Sequence, residues 1–130
     1  MTRILVITHG NLASELVKIA QSILEKTVAV TAVDLGSEDK GTELVRRVKE
    51  AIGPVEAQGR IIALTDVFGG TPSNLFLPFH QPGKLEMITG VNLGMLLHLL
   101  TTDLEGDLSQ VCTQAKLAGQ EAILVAGEYL

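Results

Sequence analysis

The chain has 130 residues, 46% apolar and 19% charged, with a mean hydropathy of +0.34, a balance that fits one ordered globular domain and excludes disordered, collagen-like or low-complexity chains. Ten Lys and Arg stand against fifteen Asp and Glu, a net charge of −5. The arginines Arg3, Arg46, Arg47 and Arg60 form no long stripe, which argues against nucleic acid as a partner.

Cys112 is the single cysteine and has no intrachain disulfide partner. The opening MTRILVITHG lacks the charged and apolar regions of a secretory signal, and no apolar run is long enough to span a bilayer. The expectation is a cytoplasmic protein.

In chain order, residues 4–8 form a short unbroken apolar run, the pattern of a strand buried on both faces. Leu12, Leu16, Ile19, Ala20, Ile23 and Leu24 follow at helical spacing. Residues 28–34 form a second strand, and Leu44, Val45, Val48 and Ile52 a second helical stripe stopped by Gly53 and Pro54. A third strand, 61–66, runs into Val67, Phe68, Gly69 and Gly70. Thr71 then reads as an N-cap and Pro72 as the first residue of a short helix ended by Pro78. Residues 85–89 make a fourth strand and 93–101 a fourth helix. Residues 107–110 resemble a capping box that opens a fifth helix, and the apolar run 122–126 reads as a last strand.

Strands alternating with helices imply an α/β fold with an open doubly wound, mainly parallel sheet covered on both faces. The expected strand order is 2-1-3-4, with the fifth strand at an edge. In such a sheet, ligands collect beyond the carboxyl ends of the strands where the winding reverses, here between the first and third strands.

His9 comes directly after the first strand and Asp66 closes the third, so the topology sets an imidazole and a carboxylate on opposite lips of that crevice. A carboxylate bound to one ring nitrogen fixes the tautomer and leaves the other with a free lone pair, the arrangement of a phosphoryl acceptor. The helix opening at Gly10 and Asn11 is expected to present backbone N–H groups to an anion. Gly69 and Gly70 allow close backbone approach, and Thr71 adds a hydroxyl. A loose phosphoryl-transfer transition state asks mainly for such positioning and distributed donors.

Taken singly, each residue has a plain structural explanation. A histidine after a strand is often just a loop residue, as His80 and His98 are expected to be, and Asp66 or Thr71 could simply cap a helix. Their conjunction at the switch point, each beside a glycine and a helix start, points to a site.

Other chemistries lack their parts. A histidine phosphatase needs an arginine beside its histidine, where Thr8 stands. A receiver domain needs an acidic pair after the first strand to hold magnesium. A flavin module needs aromatic surface, which a chain without Trp and with Tyr129 as its one Tyr scarcely offers. His9, His80, His98 and Cys112 show no metal-ligand spacing, so neither metal nor cofactor is expected.

The motifs ILVITHG, LTDVFGGTPSN and EMITGVNLGML resemble the IIA component of the mannose family of the bacterial phosphoenolpyruvate-dependent sugar phosphotransferase system, over nearly the whole chain. The resemblance implies that His9 takes phosphate on Nε2 from the phosphocarrier protein HPr and passes it to a IIB component, with Asp66 orienting Nδ1 and Thr71 near the phosphoryl group. It implies that Asn92 and its loop help line the crevice, with Phe68 and Met95 as further crevice or partner contacts. It also implies a homodimer in which the last antiparallel strand, 122–126, is exchanged, which would bury an apolar edge. The membrane enters only indirectly, through IIC and IID partners, and the IIB acceptor is expected to be a separate polypeptide.

The family commonly has Trp where Phe68 stands and Pro-Met where Gly94-Met95 stands. A regulatory protein of the same system without sugar transport, and the phosphoryl donor subunit of dihydroxyacetone kinase, use the same histidine chemistry. The loop from Asp66 to Pro72 matches the sugar system better than the kinase subunit.

Overall fold

Strand β1 (Thr2–His9) lies between β2 (Val30–Leu35) and β3 (Arg60–Thr65), and β3 pairs on its far side with β4 (Leu85–Thr89). All three pairings are parallel, giving the order β2-β1-β3-β4 that the sequence predicts. The computed structural model describes residues 1–54 and 59–130.

Successive side chains of the central strands point to opposite faces, and their unbroken apolar runs supply both. Ile4, Val6, Ile62 and Leu64 pack under α1 (Leu12–Leu24), α4 (Leu93–Thr101) and α5 (Leu108–Glu121). Leu5, Ile7, Ile61 and Ala63 pack under α2 (Gly41–Ile52) and α3 (Thr71–Phe76). The chain leaves β1 toward one face and β3 toward the other, so the ends of these two neighbours, His9 and Asp66, flank the crevice where the winding reverses.

Several boundaries differ from the sequence reading. β2 begins at Val30 rather than residue 28. α3 starts one residue earlier than expected: Gly70 takes the N-cap position and its carbonyl accepts the Asn74 N–H at 2.9 Å, making Thr71 the first helical residue. Asp107 precedes α5 as its N-cap but its side chain caps nothing, so residues 107–110 form no capping box.

The run 122–126 is not a strand of this chain. The Ala122 N–H still bonds to the Ala118 carbonyl, a 3₁₀ turn follows at Ala126–Glu128, and Ile123, Leu124 and Val125 stand largely exposed. Composition supplies the propensity of a strand but not its hydrogen-bonded neighbour, and no strand among the described residues pairs with this segment.

Phe76 is fully buried between the sheet and α2 and is the largest enclosed side chain of its face. Phe76→Ala should lower the unfolding free energy by about 3–5 kcal/mol, read from urea denaturation.

Candidate functional site

His9 closes β1 and Asp66 follows β3 directly. The His9 ring meets the carboxylate through Nδ1, 2.9 Å from Asp66 Oδ2, and the His9 backbone N–H donates to the same oxygen at 3.0 Å. The other carboxylate oxygen, Oδ1, accepts the Val67 N–H at 3.0 Å. The acid is enclosed, with 12% of its side chain exposed, while the imidazole keeps 54% open to solvent.

Burial by itself disfavours the Asp66 carboxylate. The hydrogen bonds from the His9 ring and amide and the attraction of the imidazole's charge outweigh it and hold the carboxyl below its ordinary 3.8. An ionised carboxylate only accepts, so the bound Nδ1 carries the proton and Nε2 of the neutral ring holds a free lone pair.

The loop after β3 lies against this ring. Gly70 has extended backbone that any residue could adopt, but a Cβ there would stand 2.8 Å from His9 Cε1 and 3.4 Å from Nε2. Glycine is required for the approach itself. Gly69 has a positive φ of 82°, and the Gly70 N–H closes a turn onto the Val67 carbonyl at 3.1 Å. Beneath it the buried Ser73 hydroxyl donates to the Val67 carbonyl at 2.8 Å and accepts from Thr65 Oγ1 at 2.7 Å, while the Asn74 side chain donates to the Gly69 carbonyl at 3.0 Å.

The start of α1 departs from the sequence reading. Gly10, at φ 55°, turns the chain and donates its N–H to the Leu35 carbonyl. The buried Thr8 hydroxyl accepts the Ala13 N–H at 2.7 Å, and Asp34 accepts the Ser14 N–H at 3.0 Å and the Ser14 hydroxyl. Among the described residues this leaves the N–H groups of Asn11 and Leu12 without a protein acceptor. The physical reason is register: Thr8 and Asp34 are ladder partners on the face that α1 covers, so both side chains reach its first turn. The available signal was a polar residue at the end of each of two otherwise apolar strands.

Phe68 and Val67 project from the loop at 70% and 57% exposure, and Thr71 is exposed at the start of α3. Among the described residues Asn92 and Met95 share no hydrogen bond with His9 or Asp66. Asn92 caps α4 by accepting the Met95 N–H at 2.9 Å and ties it to α5 by donating to the Gly119 carbonyl at 2.8 Å. Met95 is buried, and both line a cleft of about 510 Å³ between β4 and α5. Their loop does reach toward the site, since Gly90 and Val91 donate to the Thr65 carbonyl beside Asp66. His80 pairs with Glu86 at 3.1 Å.

Among the described residues no group of three or more His, Cys, Asp and Glu side chains is placed to hold a metal ion, and no helix is long and apolar enough to cross a membrane.

Comparison with known proteins decides the family. A family model described as PTS system fructose IIA component matches residues 3–116. This chain belongs to that family, the mannose-type IIA components of the phosphotransferase system. The IIA chain is 24% identical over its whole length to the fructose-specific EIIA component of Bacillus subtilis, covering 90% of that protein. It is 26% identical over 118 residues to the mannose-specific EIIAB component of Escherichia coli, of whose length it spans only 36%. Two solved structures share its fold. An EIIA component from Streptococcus agalactiae has a TM-score of 0.85 at 19% identity, covering 98% of this chain and 99% of that one. A mannose/sorbose-specific IIA subunit from Enterococcus faecalis has a TM-score of 0.80 at 23% identity, covering 95% and 93%. As a IIA component, the chain is part of a phosphotransferase.

The lowered Asp66 titration has a stability consequence in this IIA chain. A depressed native value contributes stability above the unfolded 3.8, lost as the pH falls through the native value. Asp66→Asn should therefore be less stable than the wild type by about 1–2 kcal/mol at neutral pH. Denaturation at stepped pH should show the gap closing below the ordinary carboxylate range.

Proposed function

We infer that this IIA chain is a phosphohistidine carrier, taking a phosphoryl group from HPr on Nε2 of His9 and passing it to a IIB component. One observation carries the reading: the enclosed Asp66 carboxylate pins Nδ1 of a half-exposed imidazole and so dedicates the remaining nitrogen to nucleophilic attack.

In the forward step the Nε2 lone pair forms a new bond to phosphorus while the bond to the donor breaks and its electron pair leaves with the donor. The Nδ1 proton stays in the hydrogen bond, and the carboxylate balances the positive charge that the phosphorylated ring acquires. Transfer to the acceptor reverses this sequence. The Thr71 hydroxyl, the loop at Gly69 and Gly70, and the open amides at Asn11 and Leu12 surround the incoming oxygens. Gly10 serves by its turn rather than as a donor, because its amide is already bonded. Phe68 and Val67 offer apolar contact to whichever partner docks over the ring.

The same reading makes residues 1–130 one cytoplasmic IIA domain, reaching the membrane only through IIC and IID partners. It also makes the chain a homodimer by exchange of the C-terminal segment. Supporting this are the exposed Ile123, Leu124 and Val125 and the outer edge of β4, beside which the cleft between β4 and α5 lies open.

Phosphoenolpyruvate, enzyme I and HPr should label the chain with one acid-labile phosphate. His9→Ala should abolish labelling, while His80→Ala and His98→Ala should retain it. Asp66→Asn should slow transfer by about tenfold or more, and an unchanged rate in rapid-quench measurements would remove Asp66 from the mechanism. Sedimentation should find a dimer for the intact chain and a monomer for one ending at Glu121; a monomeric intact chain would refute the exchange.

A further inference from the structure

Asp34 stands in β2 level with Thr8, one residue from the position paired with His9. Its carboxylate turns onto the start of α1, where Oδ1 accepts the Ser14 N–H and Oδ2 the Ser14 hydroxyl. The start of α1, where a helix N-terminus attracts an anion, thus already holds a negative charge of the protein's own on Ser14, beside the open amides of Asn11 and Leu12. Asp34 is the direct neighbour of Leu35, the residue paired with His9, so its charge lies close enough to the end of β1 to act on a phosphoryl dianion when screening is weak.

We propose that Asp34 sets the phosphoryl-transfer potential of His9: its charge at the start of α1 offsets the helix's pull on the phosphoryl group and keeps the phosphorus–Nε2 bond easy to break. This rests on the phosphohistidine reading above. Asp34 is a positioning residue: it forms no bond to phosphorus while the donor–phosphorus bond breaks and the Nε2–phosphorus bond forms. A purely structural cap would not need the charge, because the side-chain oxygen of an Asn at this position can still accept the Ser14 N–H. The uncharged isostere Asn therefore separates charge from capping, and the shorter Ser removes the charge together with part of the contact.

HPr phosphorylated by enzyme I and phosphoenolpyruvate is equilibrated with wild type, Asp34→Asn and Asp34→Ser, and the phosphate partition is measured at low and high salt together with melting temperature. At about 10 mM salt both variants should shift the equilibrium toward the phosphorylated IIA chain by about three- to tenfold, and at about 1 M salt the shift should shrink toward unity. Should Asp34→Asn melt early, Asp34→Ser decides. Equal partition at low salt, or a shift unchanged at high salt, overturns the role of Asp34 and leaves the carrier reading standing. A wild type that takes no phosphate overturns both.

Discussion

The hydrogen bond between His9 Nδ1 and Asp66 Oδ2 is the contact on which the chemistry depends. At 2.9 Å, with the same oxygen also holding the His9 amide at 3.0 Å, the carboxylate grips both the ring and the backbone that carries it. Enclosure makes the grip directional. With both carboxylate oxygens committed to His9 and Val67, the acid has little freedom to turn away, and the half-exposed imidazole holds its remaining nitrogen beside the Gly70 backbone. The depressed Asp66 titration has the same origin, because protonation would surrender these bonds.

The sheet makes that contact possible. Parallel pairing of β1 with β3 sets the ends of the two strands side by side, and departure of α1 and α3 to opposite faces leaves the rim open. The two loops then divide the labour. The loop after β3 comes against the ring, which explains the absence of a side chain at position 70. The start of α1 is instead fastened downward, onto Thr8 and Asp34, so the two sides of the crevice are not equivalent anion donors.

Much of this was legible in the sequence because the signals are local. β4 and α4 occupy the expected residues 85–89 and 93–101, each bounded by turn-forming residues, and the buried runs around Leu5 and Ile62 admit few alternatives to central parallel strands. His9 and Asp66 follow from that order, since both end a buried run. What escaped depends on pairings the sequence does not display. Thr8 and Asp34 meet α1 only because the register makes them neighbours. Asn92 sits in the expected loop, yet its amide is drawn to the Gly119 carbonyl by the close packing of α4 and α5. Residues 122–126 have the composition of a strand but lack a neighbour in their own chain, a non-local condition that composition does not express.

The tautomer of His9 tests the central claim most directly. Nitrogen-15 NMR of the neutral imidazole in the isolated wild-type protein distinguishes a protonated Nδ1 from a protonated Nε2. The structure calls for the proton on Nδ1, with Nε2 resonating as an unprotonated nitrogen and shifting on phosphorylation. A neutral ring protonated on Nε2 would leave no lone pair facing solvent and would contradict the account at its base.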